Sequence, residues 1–141
     1  MTRREISTSP EQTEELGRQL AETCRGRVLL LNGGLGAGKT ALIRGLARAL
    51  GYAGNVTSPT FAIVNDYRAD GQTVLYHFDI YRLDEDGLFD LGWDDYLATG
   101  VTVAVEWADN ATELMPPDAI RIELDGCGDE PRTITVTTPE P

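Results

Sequence analysis

Long apolar segments are missing from this 141-residue sequence. No apolar run approaches the length that spans a bilayer, and the polar residues 1–5 contain no signal-peptide core. We therefore expect a cytoplasmic protein with no membrane partner. Cysteine is also scarce. Cys24 and Cys127 stand far apart without Cys-x-x-Cys spacing, so neither a zinc site nor a redox pair is indicated.

Positive charge is also in short supply. Lys and Arg together number 12 against 23 Asp and Glu, which gives a formal net charge of -11 and a pI near 4.4. Because affinity for a nucleic-acid backbone depends on clustered Lys and Arg, this balance disfavours direct binding to RNA or DNA. If RNA is involved, we expect a partner protein to hold it.

Lysine itself occurs only at position 39. It lies in residues 33–40, Gly-Gly-Leu-Gly-Ala-Gly-Lys-Thr, which fit the phosphate-loop pattern Gly-x-x-x-x-Gly-Lys-Ser/Thr. In such a loop the backbone N–H groups surround the phosphates, the lysine contacts the outer phosphates, and the hydroxyl binds magnesium. The motif therefore predicts a nucleotide site in which Lys39 binds phosphate and Thr40 binds magnesium.

The flanking sequence supplies the context that this motif requires, a strand before the loop and a helix after it. Residues 28–31 form a short apolar run, typical of a strand buried on both faces. Apolar residues at helical spacing then extend from Lys39 to position 50. Upstream, Ser9-Pro10 indicates the start of a first helix that ends near Cys24.

The remaining elements complete one predicted domain over residues 1–141. Apolar runs or period-two alternation predict strands at 61–67, 73–81, 101–105, 120–124 and 133–137. Turns are expected at 70–71 and 126–128. An acidic helix is predicted over 84–97, broken by Gly87 and Gly92, and a short helix over 109–114.

A magnesium nucleotide site also needs an acid at the end of a neighbouring strand. Asp79 and Glu106 each follow an apolar segment predicted to be a strand. The carboxyl ends of strands in an α/β sheet open toward a ligand crevice, so we interpret both acids as site residues. The alternative for each is a solvated acid at a strand end.

Other residues near these acids have plainer interpretations. His77 could be a base, but we expect a half-buried packing residue that points away from the site. Thr60 could sense nucleotide through its hydroxyl, although the preceding Ser58-Pro59 is a common turn opening. Trp107 is either a core residue or an exposed platform, and we favour the core, since aromatics beside acids are usually buried.

The sequence leaves two function classes open. Guanine-specific switch proteins read their base with Asn-Lys-x-Asp, which this chain cannot contain because its single lysine lies in the phosphate loop. A small-molecule kinase normally needs a lid and an acceptor-binding domain, for which 141 residues leave little room. ATP hydrolysis and ATP-controlled binding to a partner remain.

Four motifs occur in one order along the chain. They are residues 35–40, Ser-Pro-Thr-Phe at 58–61, Tyr-His-Phe-Asp-Ile-Tyr-Arg at 76–82, and Val-Glu-Trp at 105–107. Together they resemble the TsaE family, also called YjeE, the small bacterial ATPases required to make threonylcarbamoyladenosine in tRNA. The resemblance implies a P-loop NTPase whose mixed sheet has a parallel centre, antiparallel flanking strands and helices on both faces.

The same resemblance implies a function and a set of ligands. The protein would bind ATP and magnesium, hydrolyse ATP weakly, and support threonylcarbamoyl transfer to tRNA adenosine by the TsaD-TsaB complex. It would reach tRNA only through that complex. Implied ATP contacts are Pro10, Gly36, Ala37, Gly38, Lys39, Thr40, Ala41 and Arg132. Thr40 and Glu106 would hold magnesium, while Asp79 and Lys39 would assist hydrolysis.

Two positions depart from the family pattern. Gly34 stands where the family usually has an acid, and Ala108 stands where Pro commonly follows Glu-Trp. Neither supplies a phosphate or metal ligand in this interpretation. No second arginine finger is evident, which fits weak hydrolysis that a partner stimulates. The alternatives are a nucleotide-gated adaptor whose hydrolysis is incidental, and a small P-loop kinase.

Overall fold

The computed structural model describes residues 1–34, 38–126 and 129–139. The strands in these residues are β1 (Thr2–Ser7), β2 (Val28–Gly33), β3 (Val64–Ala69), β4 (Gln72–Asp79), β5 (Thr102–Glu106), β6 (Ile120–Asp125) and β7 (Arg132–Thr137). The helices are α1 (Pro10–Cys24), α2 (Lys39–Ala49), α3 (Glu85–Asp90), α4 (Trp93–Ala98) and a 3₁₀ segment, Ala108–Leu114. None of the helices in the described ranges is long and apolar enough to cross a membrane.

The strands form a single mixed sheet in the order β1-β7-β6-β2-β5-β4-β3. Strands β6, β2, β5 and β4 are parallel, whereas β3 on one side and β7 with β1 on the other are antiparallel. The predicted parallel centre and antiparallel flanks are therefore confirmed. Because parallel strands end at the same edge, this arrangement brings the ends of β2, β4 and β5 together.

Helices cover both faces of the sheet, as expected. Alternation along β2 directs Leu29 and Leu31 to the face covered by α1 and α2, and Val28 and Leu30 to the opposite face. The second face is covered by α3, α4 and the 3₁₀ segment, with Trp93 completely buried there. The all-apolar sequence of β2 follows from burial on both sides.

Several predicted boundaries differ from the structure. Strand β3 begins only at Val64, because Ile63 adopts a left-handed conformation with φ of 69° that reverses the chain just before the strand. The acidic segment forms two helices separated at Gly92, where φ is 100°, but the break predicted at Gly87 is wrong, since Gly87 lies inside α3. The predicted turn at 126–128 lies partly outside the described residues.

Strand β1 was not predicted. Its sequence is polar and mostly exposed, so it has no period-two apolar pattern, and it is a strand because its backbone pairs with β7. The start of α1 behaves as expected: the Ser9 hydroxyl caps the helix by accepting a hydrogen bond from the Gln12 backbone N–H at 3.1 Å. The pairing of β1 with β7 places the residues between β1 and α1 beside the carboxyl edge of the sheet.

Helices α1 and α2 touch through their backbones at two glycines. A Cβ atom at Gly17 would overlap the Leu42 carbonyl oxygen, and a Cβ atom at Gly45 would overlap the Glu14 carbonyl oxygen. Neither clash can be relieved by rotating a side chain, because the atoms that are met belong to the backbone. This contact fixes α2, and with it Lys39 at the start of the helix, against α1.

Replacing Gly45 with Ala should therefore destabilise the protein, although Gly→Ala normally favours a helix. We expect Gly45→Ala to lower the free energy of unfolding by at least about 2 kcal/mol, because the helices must separate to admit the methyl group. Gly87→Ala in α3 is the matched control, since the nearest atoms that its Cβ would meet belong to the side chains of Leu83 and Asp84. Urea unfolding measures the free energy of unfolding of both variants. Equal losses of stability in Gly45→Ala and Gly87→Ala would contradict the close contact between α1 and α2.

Candidate functional site

A cavity of about 990 Å³ opens at the carboxyl edge of the sheet. Most of the predicted site residues line it: Pro10, Gly38, Lys39, Thr40, Ala41, Asp79, Glu106 and Arg132. Gly36 and Ala37 lie outside the described residues. The volume is in the range of small-molecule sites in proteins. The structure therefore brings together residues from the starts of α1 and α2, the ends of β4 and β5, and the start of β7.

The start of α2 faces this cavity. Gly38 precedes the helix with φ of 101°, a left-handed conformation that favours glycine, and the first bond of the helix runs from the Leu42 N–H to the Gly38 carbonyl at 3.0 Å. The N–H groups of the first turn therefore have no acceptor within the helix. Together with the helix dipole, these donors favour an anion at the position where Lys39 and Thr40 also lie.

Glu106 contacts two basic side chains, one through each carboxylate oxygen. Its Oε1 lies 3.2 Å from Lys39 Nζ and its Oε2 lies 2.6 Å from His77 Nε2. The side chains of Glu106 and Lys39 are only 6% and 14% exposed. Burial raises the pKa of Glu106, but the hydrogen bond from His77 and the nearby Lys39 ammonium outweigh it, so the pKa lies below its ordinary value. Glu106 is accordingly ionised at neutral pH.

His77 differs from the sequence expectation. It is completely buried, and it points toward the site and not away from it. The physical reason is that residues two apart on a strand share a face, so His77 and Asp79 on β4 lie on the same side of the sheet. Period-two spacing from Asp79 was the signal that could have identified this residue.

Asp79 is held by the two segments that flank it in space. Its Oδ1 accepts a hydrogen bond from the Tyr81 backbone N–H at 3.0 Å, and its Oδ2 accepts one from the Thr60 hydroxyl at 3.2 Å. The Thr60 hydroxyl also lies 2.7 Å from the Ser58 hydroxyl. Residues 58–60 therefore contact the site directly through Thr60.

Trp107 is not a core residue, so that expectation is wrong. Its φ of 66° turns the chain out of the sheet immediately after Glu106, which leaves the side chain 44% exposed at the cavity mouth. Lys39 Nζ lies 5.7 Å from the centre of the Trp107 ring, and the Tyr81 ring packs against Trp107 at 4.9 Å. The mouth therefore has an aromatic wall beside the lysine.

The chemistry of these side chains fits magnesium carried by a nucleotide. Thr40, Asp79 and Glu106 offer oxygen donors, which magnesium prefers. Within residues 1–34, 38–126 and 129–139, no cluster of three or more His, Cys, Asp or Glu side chains could hold a metal. Magnesium in nucleotide sites is commonly bound by one or two protein groups together with phosphates, and these residues suit that arrangement.

The sheet, the glycine-rich sequence before α2 and the acids at the carboxyl edge define an α/β protein with a candidate phosphate-binding cavity. The profile of the family described as "Threonylcarbamoyl adenosine biosynthesis protein TsaE" matches residues 7–134. The chain belongs to the TsaE family and so acts in tRNA threonylcarbamoyladenosine biosynthesis. This agrees with the resemblance found in the four sequence motifs.

Relatives and a solved structure support the same family. The chain is 41% identical over 132 residues to TsaE of Bacillus subtilis, covering 93% of this chain and 82% of the relative. It is 45% identical over 132 residues to TsaE of Streptomyces coelicolor, covering 87% and 88%. The crystal structure of Bacillus subtilis YdiB is similar with a TM-score of 0.81 and 33% identity, covering 98% of this chain and 86% of that one.

Replacing Glu106 with Gln tests its electrostatic role without nucleotide. The substitution removes the charge that compensates the partly buried Lys39, so we expect the free energy of unfolding to fall by about 1–3 kcal/mol. Asp109→Asn makes the same change at an exposed acid and should have an effect within about 0.5 kcal/mol. Calorimetric unfolding at neutral pH compares the two. A Glu106→Gln protein as stable as wild type would show that the ion pair does not support the fold.

Proposed function

We propose that this chain binds ATP with magnesium in the cavity, hydrolyses it slowly, and thereby supports threonylcarbamoyl transfer to tRNA adenosine by the TsaD-TsaB complex. The observation that supports this most strongly is the meeting of Lys39, at the start of α2, with Asp79 and Glu106 at the carboxyl edge of the sheet. In this proposal the chain is a P-loop NTPase.

The phosphate groups would lie against the start of α2. Lys39 would leave Glu106 and bind the outer phosphates, where its compact ammonium replaces one negative partner by another. The exchange is favourable because the N–H groups of the first helical turn also favour an anion there. Pro10 and Arg132 line the same cavity and would flank the rest of the nucleotide.

Thr40 and Glu106 would hold magnesium, which neutralises charge on the phosphates during hydrolysis. Once Lys39 has left, Glu106 Oε1 has lost its partner and is available, while His77 still occupies Oε2. Asp79 would orient the attacking water or support the metal, since Thr60 and Tyr81 fix its two oxygens.

The TsaD-TsaB pair would contact the cavity mouth and hold the tRNA. A formal net charge of -11 disfavours direct contact between this chain and an RNA backbone. Exposed aromatic side chains at or next to the mouth, Phe61, Tyr81 and Trp107, are instead suited to a protein partner. The partner would therefore sense the nucleotide through the residues that surround it.

Replacing Lys39 with Ala should abolish measurable ATP binding, because it removes the ammonium from the phosphates and leaves Glu106 with excess negative charge. We expect the affinity to fall more than about 100-fold by isothermal titration calorimetry. Arg48→Ala, at an exposed cation near the other end of α2, is the control and should bind within about twofold of wild type. A Lys39→Ala protein that binds ATP normally would refute the assignment of this cavity.

A nucleotide-gated adaptor remains the second candidate, favoured by the exposed aromatics at or next to the mouth, among which Phe61 is 87% exposed. Asp79→Asn distinguishes the two functions. If hydrolysis is required, this variant should bind ATP but lose about 100-fold or more of the multi-turnover tRNA modification in a reconstitution with TsaD, TsaB and tRNA. Full modification without hydrolysis would instead establish the adaptor.

A further inference from the structure

A chain of buried polar contacts leads from the loop before β3 to Lys39. The Tyr67 hydroxyl lies 3.2 Å from the Thr57 carbonyl oxygen and 3.3 Å from His77 Nδ1, and its single proton is shared between these two acceptors. His77 Nε2 lies 2.6 Å from Glu106 Oε2, and Glu106 Oε1 lies 3.2 Å from Lys39 Nζ. Because an ionised carboxylate can only accept hydrogen bonds, Nε2 carries the proton that it shares with Glu106.

Packing alone does not explain His77. An apolar side chain would fill a fully buried position without the desolvation cost of two ring nitrogens. Both nitrogens instead have partners, Tyr67 on one side and Glu106 on the other. The ring is therefore fixed in its plane by contacts at its two ends, and it fixes the carboxylate in turn.

We propose that His77 is a positioning residue that holds Glu106 Oε2, so that Oε1 alone exchanges between Lys39 and nucleotide-bound magnesium. This inference rests on the proposed function. Without His77 the carboxylate could rotate, so that Oε1 would no longer be held in position for the metal. Tyr67 acts on Glu106 indirectly, by holding the ring of His77.

The same contacts join the two acids to one loop. Residues 57–60 reach Glu106 through Tyr67 and His77, starting at the Thr57 carbonyl. They reach Asp79 through the Thr60 hydroxyl. Asn65 Nδ2 also donates to the Thr57 carbonyl at 3.1 Å, which helps to hold that end of the loop. The position of the loop is therefore linked to the orientation of both carboxylates.

The test measures the magnesium dependence of nucleotide binding, with no catalytic turnover. Calorimetric titrations with a non-hydrolysable ATP analogue are compared in EDTA and over a series of magnesium concentrations. For His77→Leu we expect the half-saturating magnesium concentration to rise about 10-fold or more, because loss of a group that orients a metal ligand has effects of this size. Affinity for the analogue in EDTA should change less than about threefold.

Three further variants separate positioning from a merely structural role. His77→Gln keeps an N–H donor near the position of Nε2 and should recover most of the magnesium affinity. Tyr67→Phe removes only the hydroxyl and should raise the magnesium requirement by a smaller factor, about threefold. Tyr76→Phe makes the same change on the opposite face of the sheet, beside Tyr96, and should have no effect. Thermal unfolding of each protein reports any loss of fold.

The outcomes distinguish this inference from the proposed function. A wild-type protein that binds no magnesium nucleotide would refute both. Normal binding by wild type, with a folded His77→Leu protein that has an unchanged magnesium requirement, would refute only the positioning role. If His77→Leu does not fold, Tyr67→Phe decides: a raised magnesium requirement supports the inference, and a requirement equal to that of wild type overturns it.

Discussion

The carboxylate of Glu106, buried between Lys39 and His77, is the interaction on which the site depends. An ionised group that is 6% exposed requires compensation, and the structure supplies it with an ammonium on one oxygen and an imidazole N–H on the other. This requirement directs Lys39 inward from the start of α2. It also explains why a polar ring occupies a fully buried position on β4.

The rest of the fold serves to bring these groups together. Parallel pairing places Asp79 directly beside Glu106, and Glu106 beside Leu31 near the end of β2. The glycine contact between α1 and α2 sets the position from which Lys39 reaches the acid. Strong backbone constraints at Ile63 and Trp107, both with positive φ, border the same region. Such conformations cluster at functional sites in proteins, because the surrounding structure must hold them in place.

Much of this arrangement could be predicted from the sequence because the relevant signals are local. Lys39, Thr40, Asp79 and Glu106 could be predicted to share one site. The signals were a glycine-rich pattern, the apolar run before it, and acids at the ends of apolar segments. The buried central strands were predictable because burial on both faces requires continuous apolar residues, as in β2 and β5.

The features that were missed depend on the folded chain as a whole. Strand β1 is defined by its pairing with β7, which a polar sequence does not reveal. Trp107 is exposed because its own backbone adopts a left-handed conformation, although it directly follows the buried strand β5. Period-two spacing could place His77 on the same face as Asp79, but its contact with Glu106, 29 residues further along the chain, depends on the pairing of β4 with β5.

The most direct test of this account is a crystal structure with magnesium and a non-hydrolysable ATP analogue. The account predicts Lys39 on the outer phosphates, Glu106 Oε1 directed to the metal, and the bond from His77 Nε2 to Oε2 retained at its present length. A nucleotide bound elsewhere, or bound here while Lys39 remains paired with Glu106, would contradict it.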